Sequence, residues 1–219
     1  MKIKYFGHDA FKITQEKHGV RVITDPYEPG CYNDSIRFSE IEDETEFVTV
    51  SHSHPDHSNF VGLTSKPEVI KSIGKMEKAG IIFNGIDTYH DNSKGAERGR
   101  NIVFTIKADD ITVCHLGDLG HVLTEEQIKK IGSIDVLLIP VGGGPTIDKS
   151  AVDSVITSLK PKIIIPMHYK SDKCSLNLAD IDQFLKGRKG VRHFKESEIT
   201  ITKDSLPHET EIFAIPPSN

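Results

Sequence analysis

Residues 48–60 read VTVSHSHPDHSNF, an apolar β-type run that breaks into three histidines and an aspartate. In an extended backbone, side chains two positions apart point to the same side. His52 and His54 are therefore placed to grip one ion together. Pro55 forces a turn, after which Asp56 and His57 face a second ion nearby. Imidazole and carboxylate suit Zn²⁺, Fe²⁺ or Mn²⁺ better than Ca²⁺ or Mg²⁺. The plainer alternative is a histidine-rich surface turn in which Asp56 or Ser58 caps a helix. The rest of the chain has to choose between them.

Working outward, acidic or imidazole residues close one apolar run after another. Asp25 follows VRVIT, His90 ends GIDTYH, Asp118 ends ITVCHLGD and His168 ends IIIPMH. Strand ends in α/β folds converge on a shared crevice, so these residues are candidates to meet in space. Strands are expected at 2–6, 11–14, 20–24, 47–50, 102–107, 111–116, 136–139 and 163–167. The first and third alternate, as half-buried strands do, whereas VLLIP and IIIPM are apolar throughout, as strands covered on both faces are. TEEQ at 124–127 reads as a capping box that opens a helix to about Ile131. Ala151, Val152, Val155, Ile156 and Leu159 form one helical stripe, and Asn177 is a candidate cap for a helix burying Leu178, Ile181, Phe184 and Leu185. Residues 66–89 fit either a weak helix interrupted by Gly74 or strands with tight turns, with FNG as a hairpin turn. One further strand is expected near the C-terminus, in ETEIFAIPPSN.

Bulk properties narrow the class. The chain has 219 residues, 37% hydrophobic, 27% charged, with a formal net charge of −5. These are values of an ordinary globular protein, and residues 1–219 are expected to form a single domain. The mild acidity gives no general reason to bind nucleic acid. Cys31, Cys114 and Cys174 are odd in number, scattered and without a CxxC pair, which argues against a disulfide framework or thiolate zinc site. MKIKYFGHDAFKI mixes charges into its apolar residues and is not a signal peptide, and no run approaches the ~20 apolar residues of a membrane span. A cytoplasmic protein without membrane contact is expected.

The segments SHSHPDHSNF, FGHDAFKI with VITDPY, TYHD, VCHLGDLGH, VLLIPVGGG and IIIPMHY occur in the order of the landmarks of a known family. Over about residues 2–170 the chain resembles the metallo-β-lactamase superfamily of metal-dependent hydrolases, in the branch that includes ascorbate-6-phosphate lactonase. The resemblance implies an α/β fold, a four-layer αββα sandwich, with the metal site at one edge between the two sheets. It implies one metal site from His52, His54 and His90, and another from Asp56, His57 and His168, with Asp118 bridging. Asp25 matches the aspartate that supports the ligands, and His8 lies close to the metals as a hydrogen-bond donor to substrate. His115 and His121 stand as alternatives to His90.

Two zinc ions per chain are the expected cofactors, with manganese or iron as alternatives. Two cations roughly 3.5–4 Å apart share a hydroxide whose pKa falls to roughly 7. The expectation is thus a metal-dependent hydrolase using metal-bound hydroxide, with Asp56, Asp118 and His8 as catalytic residues. Its substrate is expected to be a small-molecule ester, lactone or amide. Lys94, Arg98 and Arg100 in HDNSKGAERGRN, together with Lys170, offer a seat for an anionic group, against the bland reading of a solvated loop. A phosphodiesterase or nuclease on the same fold and a non-catalytic metal-binding or regulatory protein are the alternatives.

Overall fold

The two continuously apolar runs sit where both faces are covered. In the computed structural model, which describes residues 1–218, β10 (Val136–Pro140) and β11 (Ile163–Met167) pair in parallel inside an eight-stranded sheet. Val136, Leu138, Ile163 and Ile165 point into the core between the sheets, while Leu137, Ile139 and Ile164 point to the helices. Each face is apolar because each has a partner layer, so the period-2 alternation vanishes. Truncating fully buried Leu138 to alanine is expected to cost about 2–5 kcal/mol.

The eight-stranded sheet continues from β10 through β9 (Ile111–His115), which is parallel to it. An antiparallel meander follows of β8 (Arg100–Ala108), β7 (Ile81–Tyr89) and β6 (Gly74–Lys78). On the other side of β11 lie β14 (Glu211–Ala214) and β12 (Val191–His193). The second sheet has six strands in the order β13, β1, β2, β3, β4, β5. Here β1 (Lys2–Gly7), β2 (Ala10–Thr14) and β3 (Arg21–Thr24) are antiparallel, and β4 (Phe47–Thr49) and β5 (Glu68–Ile70) extend β3 in parallel. The edge strand β13 (Glu198–Thr200) pairs with β1. Ile3, Tyr5, Ile13 and Val22 face the other sheet, while Phe6, Ile23 and Val48 face outward into a further apolar cluster.

The outer layers differ. Over the eight-stranded sheet lie α2 (Glu125–Ile131), α3 (Lys149–Leu159) and α4 (Ile181–Leu185), which bury Ile131, Val152, Val155, Leu159 and Phe184. The expected capping box forms: Thr124 Oγ1 accepts from Gln127 N–H at 3.2 Å, and Gln127 Oε1 accepts from Thr124 N–H at 2.9 Å. Over the six-stranded sheet the layer is mostly irregular chain. Its one turn, α1 (Cys31–Asp34), carries Tyr32 and Asn33 in left-handed backbone. The αββα order is kept, with one α layer reduced to loops that bury Tyr27, Ile36, Phe38 and Leu178.

Three local expectations need correction. Of the two readings of residues 66–89 the strands form, but their hairpin turns at Ala79 and Gly80 (φ 48° and 76°), not at Asn84–Gly85, which lie inside β7. A type I′ two-residue hairpin demands positive φ at both central positions, and that pair supplies it. The last helix is capped by Asp180, whose side chain accepts from Gln183 N–H at 3.0 Å, rather than by Asn177. Leu178 therefore belongs to the apolar cluster beside β4 rather than to a helix face.

Candidate metal centre

Parallel strands bring their C-terminal ends to one edge of the sandwich, and the chain leaves the sheets there through unusual backbone. His8 after β1, Asp25 after β3 and His168 after β11 have φ of 52°, 37° and 51°. A non-glycine residue held there stores ~1–3 kcal/mol of strain, which the surrounding contacts must over-determine. Those contacts are dense.

Asp25 is the anchor. It is wholly buried and takes three bonds: from Ser51 N–H (2.8 Å), from Ser51 Oγ–H (2.5 Å) and from His57 Nδ1–H (3.1 Å). Since Asp25 takes the Ser51 hydroxyl hydrogen, Ser51 Oγ accepts from His52 Nδ1–H at 2.9 Å. Both rings thereby turn Nε2 toward Asp118 Oδ2, at 3.9 and 3.4 Å, with the other ring nitrogen held by a hydrogen bond, as in a ligating histidine. Burial pushes the Asp25 carboxyl up, but His57, His115 and His52 outweigh it and hold the group below its ordinary value.

Asp118 is the hub. His90 Nε2 stands 3.2 Å from its Oδ2, His57 Nε2 3.4 Å from the same atom, and His168 Nε2 3.3 Å from Oδ1. His52 Nε2 is 3.9 Å away. Asn101 Oδ1 accepts from Asp118 N–H at 3.0 Å, and Asn101 Nδ2–H is tied to Thr88 Oγ1 and Leu116 O, which locks the turn. The ligand-type atoms of His52, His54 and His90 lie within 4.8 Å of one another. His57 and His168 form a second such group with His8 and Asp9. Asp56 adjoins it: its Oδ2 lies 3.4 Å from His57 Nε2 and 2.9 Å from His8 Nε2.

Two glycines let the chain close around this cluster. A Cβ on Gly120 would lie 2.2 Å from the carbonyl carbon of His90, and one on Gly142 would lie 2.3 Å from His168 O. The glycine-rich VGGGPT turn thus seats His168, whose backbone packs directly on it. The loop after His90 is held by Asp91, which accepts N–H bonds from Ser93, Gly95, Glu97 and Arg98 at 2.7–3.0 Å.

Several residues stand apart from their expected roles. His8 is buried and turned to Asp56 rather than to open solvent. His115 is bonded to Asp9 O and accepts from Gly117 N–H, and His121 accepts from Tyr89 N–H, so both are engaged away from the hub. Lys170 is exposed and does not line the cleft, and Arg100 pairs with Asp87 at 2.7 Å. Arg98 does line the cleft. Three contributors escaped the sequence reading. Asp9 sits beside His8 with both carboxylate oxygens buried and unbonded, Tyr32 Oη–H donates to Asp56 Oδ1 at 3.1 Å, and Asn101 braces Asp118. Only Asp9 had a local signal, as the acidic neighbour in FGHDAF.

The charges ask for a cation. Burial pushes Asp118 up, but His168 and His57 outweigh it and hold the carboxyl well below the carboxylate range. Burial lowers His57 and His168, yet Asp118 and its acidic neighbours win, lifting His57 well above its ordinary value and His168 to about 9. Burial takes His52 down to about 3, so its ring is neutral at neutral pH, with the Nε2 lone pair 3.0 Å from His54 Nδ1. With two histidines drawing protons to neutralise carboxylates, the cluster takes positive charge either as protons or as metal, the usual competition at such a site. Buried His57 Nε2 and Asp118 Oδ1 make no hydrogen bond, which fits ligand atoms of a metal centre.

The sequence profile of the Beta-lactamase superfamily domain matches residues 2–168. A UPF0173 metal-dependent hydrolase from Nanoarchaeum equitans is 34% identical over 198 residues, covering 78% of this chain and 85% of its own length. A protein from Pyrococcus horikoshii with the same description is 26% identical over 196 residues, with the same coverage. Among solved structures, a protein from Thermotoga maritima described as a Zn-dependent hydrolase of the metallo-β-lactamase superfamily superposes with a TM-score of 0.79. It is 35% identical, covering 98% of this chain and 97% of that one. Igni18, a metallo hydrolase from Ignicoccus hospitalis, shares the fold at a TM-score of 0.60 and 23% identity, covering 77% of this chain and 82% of its own. The chain belongs to the metallo-β-lactamase superfamily. Within it, this is a metal-dependent hydrolase similar to the UPF0173 proteins. Among the described residues, no helix is long and apolar enough to cross a membrane.

Proposed function

We propose that the chain is a dinuclear zinc hydrolase that cleaves a small-molecule ester, lactone or amide. The observation that carries this reading is Asp118. One buried carboxylate is faced by the Nε2 atoms of His57, His90 and His168 at 3.2–3.4 Å, with its own Oδ1 unbonded. A carboxylate so surrounded suits a bridge between two ions. His52, His54 and His90 would hold one, and Asp56, His57 and His168 the other. Zinc is favoured by the histidine-rich donor set and by the description of the Thermotoga maritima protein. When bound, such a pair supplies a water nucleophile active at neutral pH and a Lewis acid for the oxygen that gains charge.

The protein's own groups do the positioning. Asp25 fixes the rings of His57 and, through Ser51, of His52. Asn101 fixes Asp118. His8 and Tyr32 each meet one oxygen of Asp56, at 2.9 and 3.1 Å, which supports a positioning role for His8. The Tyr32 hydroxyl, raised by burial and by Asp56, keeps its proton at neutral pH and remains a donor at the edge of the cleft. A cytoplasmic setting fits the three free, buried cysteines.

The test is elemental analysis of zinc-loaded protein together with turnover of p-nitrophenyl esters, lactones and bis(p-nitrophenyl) phosphate. The expected result is two zinc ions per chain and faster ester or lactone cleavage than phosphodiester cleavage. Asp118→Asn is expected to lose bound zinc and at least ~100-fold in rate, the scale of removing one electrostatic stabiliser. Equal rates in wild type and Asp118→Asn would overturn the hydrolytic centre, and preference for the phosphate would overturn the substrate class.

A further inference from the structure

Beside the cleft over Asp118 lies a larger cavity of about 750 Å³, opening along His52 and His54. The cleft itself is about 230 Å³. His54 and Arg98 line both, so they form the doorway between them. Beyond the doorway Val50, Phe60, Ile73 and Ile102 supply most of the wall's apolar surface, with Ser53, Ser58 and Lys71 among them. Ile73 is 50% exposed at the rim of this wall. Among the described residues, the charged ones lining this cavity are Lys71, Arg98 and Arg100, with no carboxylate, in a chain whose net charge is −5. Arg100 is taken by Asp87 at 2.7 Å. Among the described residues Arg98 has Glu97 alone as an ion-pair partner, at 3.7 Å, and its side chain is 43% exposed. Its backbone is pinned by Asp91 at 2.8 Å, so the guanidinium starts from a fixed point.

We propose that this cavity receives the non-reacting body of an anionic amphiphilic substrate, its apolar chain against Phe60, Ile73 and Ile102 and its carboxylate on Arg98. The inference rests on the hydrolytic reading for the reaction, but the subsite itself is independent of it. The volume falls within the ~300–1,000 Å³ of ligand sites, and a mostly apolar wall with a few convergent charges, here Arg98 and Lys71, is their usual make-up. The planar guanidinium fork matches a carboxylate in two parallel bonds. The substrate would thus be an ester, lactone or amide that carries a medium-length alkyl or aryl chain and a free carboxylate. Its scissile carbonyl would reach back through the doorway to the cleft.

The test uses metal-free and zinc-loaded protein with octanoate, butanoate, acetate and octan-1-ol as probes, read by titration calorimetry. In the metal-free protein, carboxylate probes are expected to tighten by up to about fourfold per added methylene, the gain from burying each CH₂. Arg98→Ala is expected to weaken octanoate about 2- to 5-fold, the scale of an ion pair on a 43%-exposed side chain, while octan-1-ol binding stays unchanged. Ile73→Asp, at a half-exposed position, should flatten the chain-length series. Zinc content should be unaltered in both variants. Equal affinity for acetate and octanoate, or an unchanged octanoate affinity in Arg98→Ala, would overturn the proposal. Intact octanoate binding in a protein that hydrolyses nothing would uphold the subsite and overturn the hydrolytic reading instead.

Discussion

Gly120→Ala offers the sharpest test of how the centre is seated. The added methyl would lie 2.2 Å from His90 C, 2.3 Å from Asp91 N and 2.5 Å from His90 O. Non-bonded carbons rest at ~3.5–4.0 Å, so the two backbones must part by roughly 1 Å. Neither neighbour is a flexible side-chain end. His90 is tied by its N–H to Gly99 O at 3.1 Å, and Gly120 N–H donates to Tyr89 O at 2.9 Å. Gly120 follows Asp118 by two positions, so the displacement opens the 3.2 Å approach of His90 Nε2 to Asp118 Oδ2. An ångström of misplacement costs on the order of 100-fold in rate. Overpacking should also cost about 1–3 kcal/mol, a fall in Tm of roughly 2–12 °C for a chain of this size. Zinc affinity by chelator competition, kcat/KM on the best ester and Tm should be measured together. Ile212→Val, a buried change of about 0.5–1.5 kcal/mol in the helix-side core, serves as the control for destabilisation alone. If Gly120→Ala kept wild-type zinc affinity and turnover while its Tm fell, the close contact would not be what seats His90.

Other outcomes follow from the same structure. Asp25→Asn removes the acceptor shared by Ser51 and His57 and should weaken zinc binding about 10- to 100-fold, read by chelator competition. Zinc at ~1,000 times its Kd should raise Tm of the metal-free protein by roughly 8–16 °C, from ~4 kcal/mol of linkage; an unmoved Tm would deny a folded-state site. Asp43 is raised by burial but lowered more by Lys12 and Lys4, the latter at 3.1 Å, so its folded pKa lies below its ordinary value. Its contribution is present above pH ~3.8 and fades as pH falls through the folded pKa. Asp43→Asn should therefore lower urea stability of the metal-free protein by at most ~1 kcal/mol at pH 6, and by less near pH 3.

What could be read before folding was local. The spacing of His52, His54, Asp56 and His57 holds their chemistry within one short stretch, and the apolar runs before Asp25, Asp118 and His168 are strands that end at the shared edge. The helix-side and sheet-side cores were implicit in VLLIP, because a run with no polar face must be covered twice. Asn101 and Tyr32 were not legible. Each touches the site only because β8 pairs with β9, or because a left-handed turn reaches across to Asp56, and neither fact leaves a periodic mark. The Asn84–Gly85 pair misled for a related reason. Its turn-forming composition sits inside β7, where tertiary pairing overrides local preference.

Asp25 has a consequence for how such a centre changes over time. It clasps His57 directly and His52 through one hydroxyl, so a single buried carboxylate sets the aim of both rings. In the proposed two-ion centre those rings would serve different ions, so a substitution at Asp25 that retuned one would disturb the other. Changes that favour one ion alone would then be expected outside that clasp, for example at Tyr32, which touches Asp56.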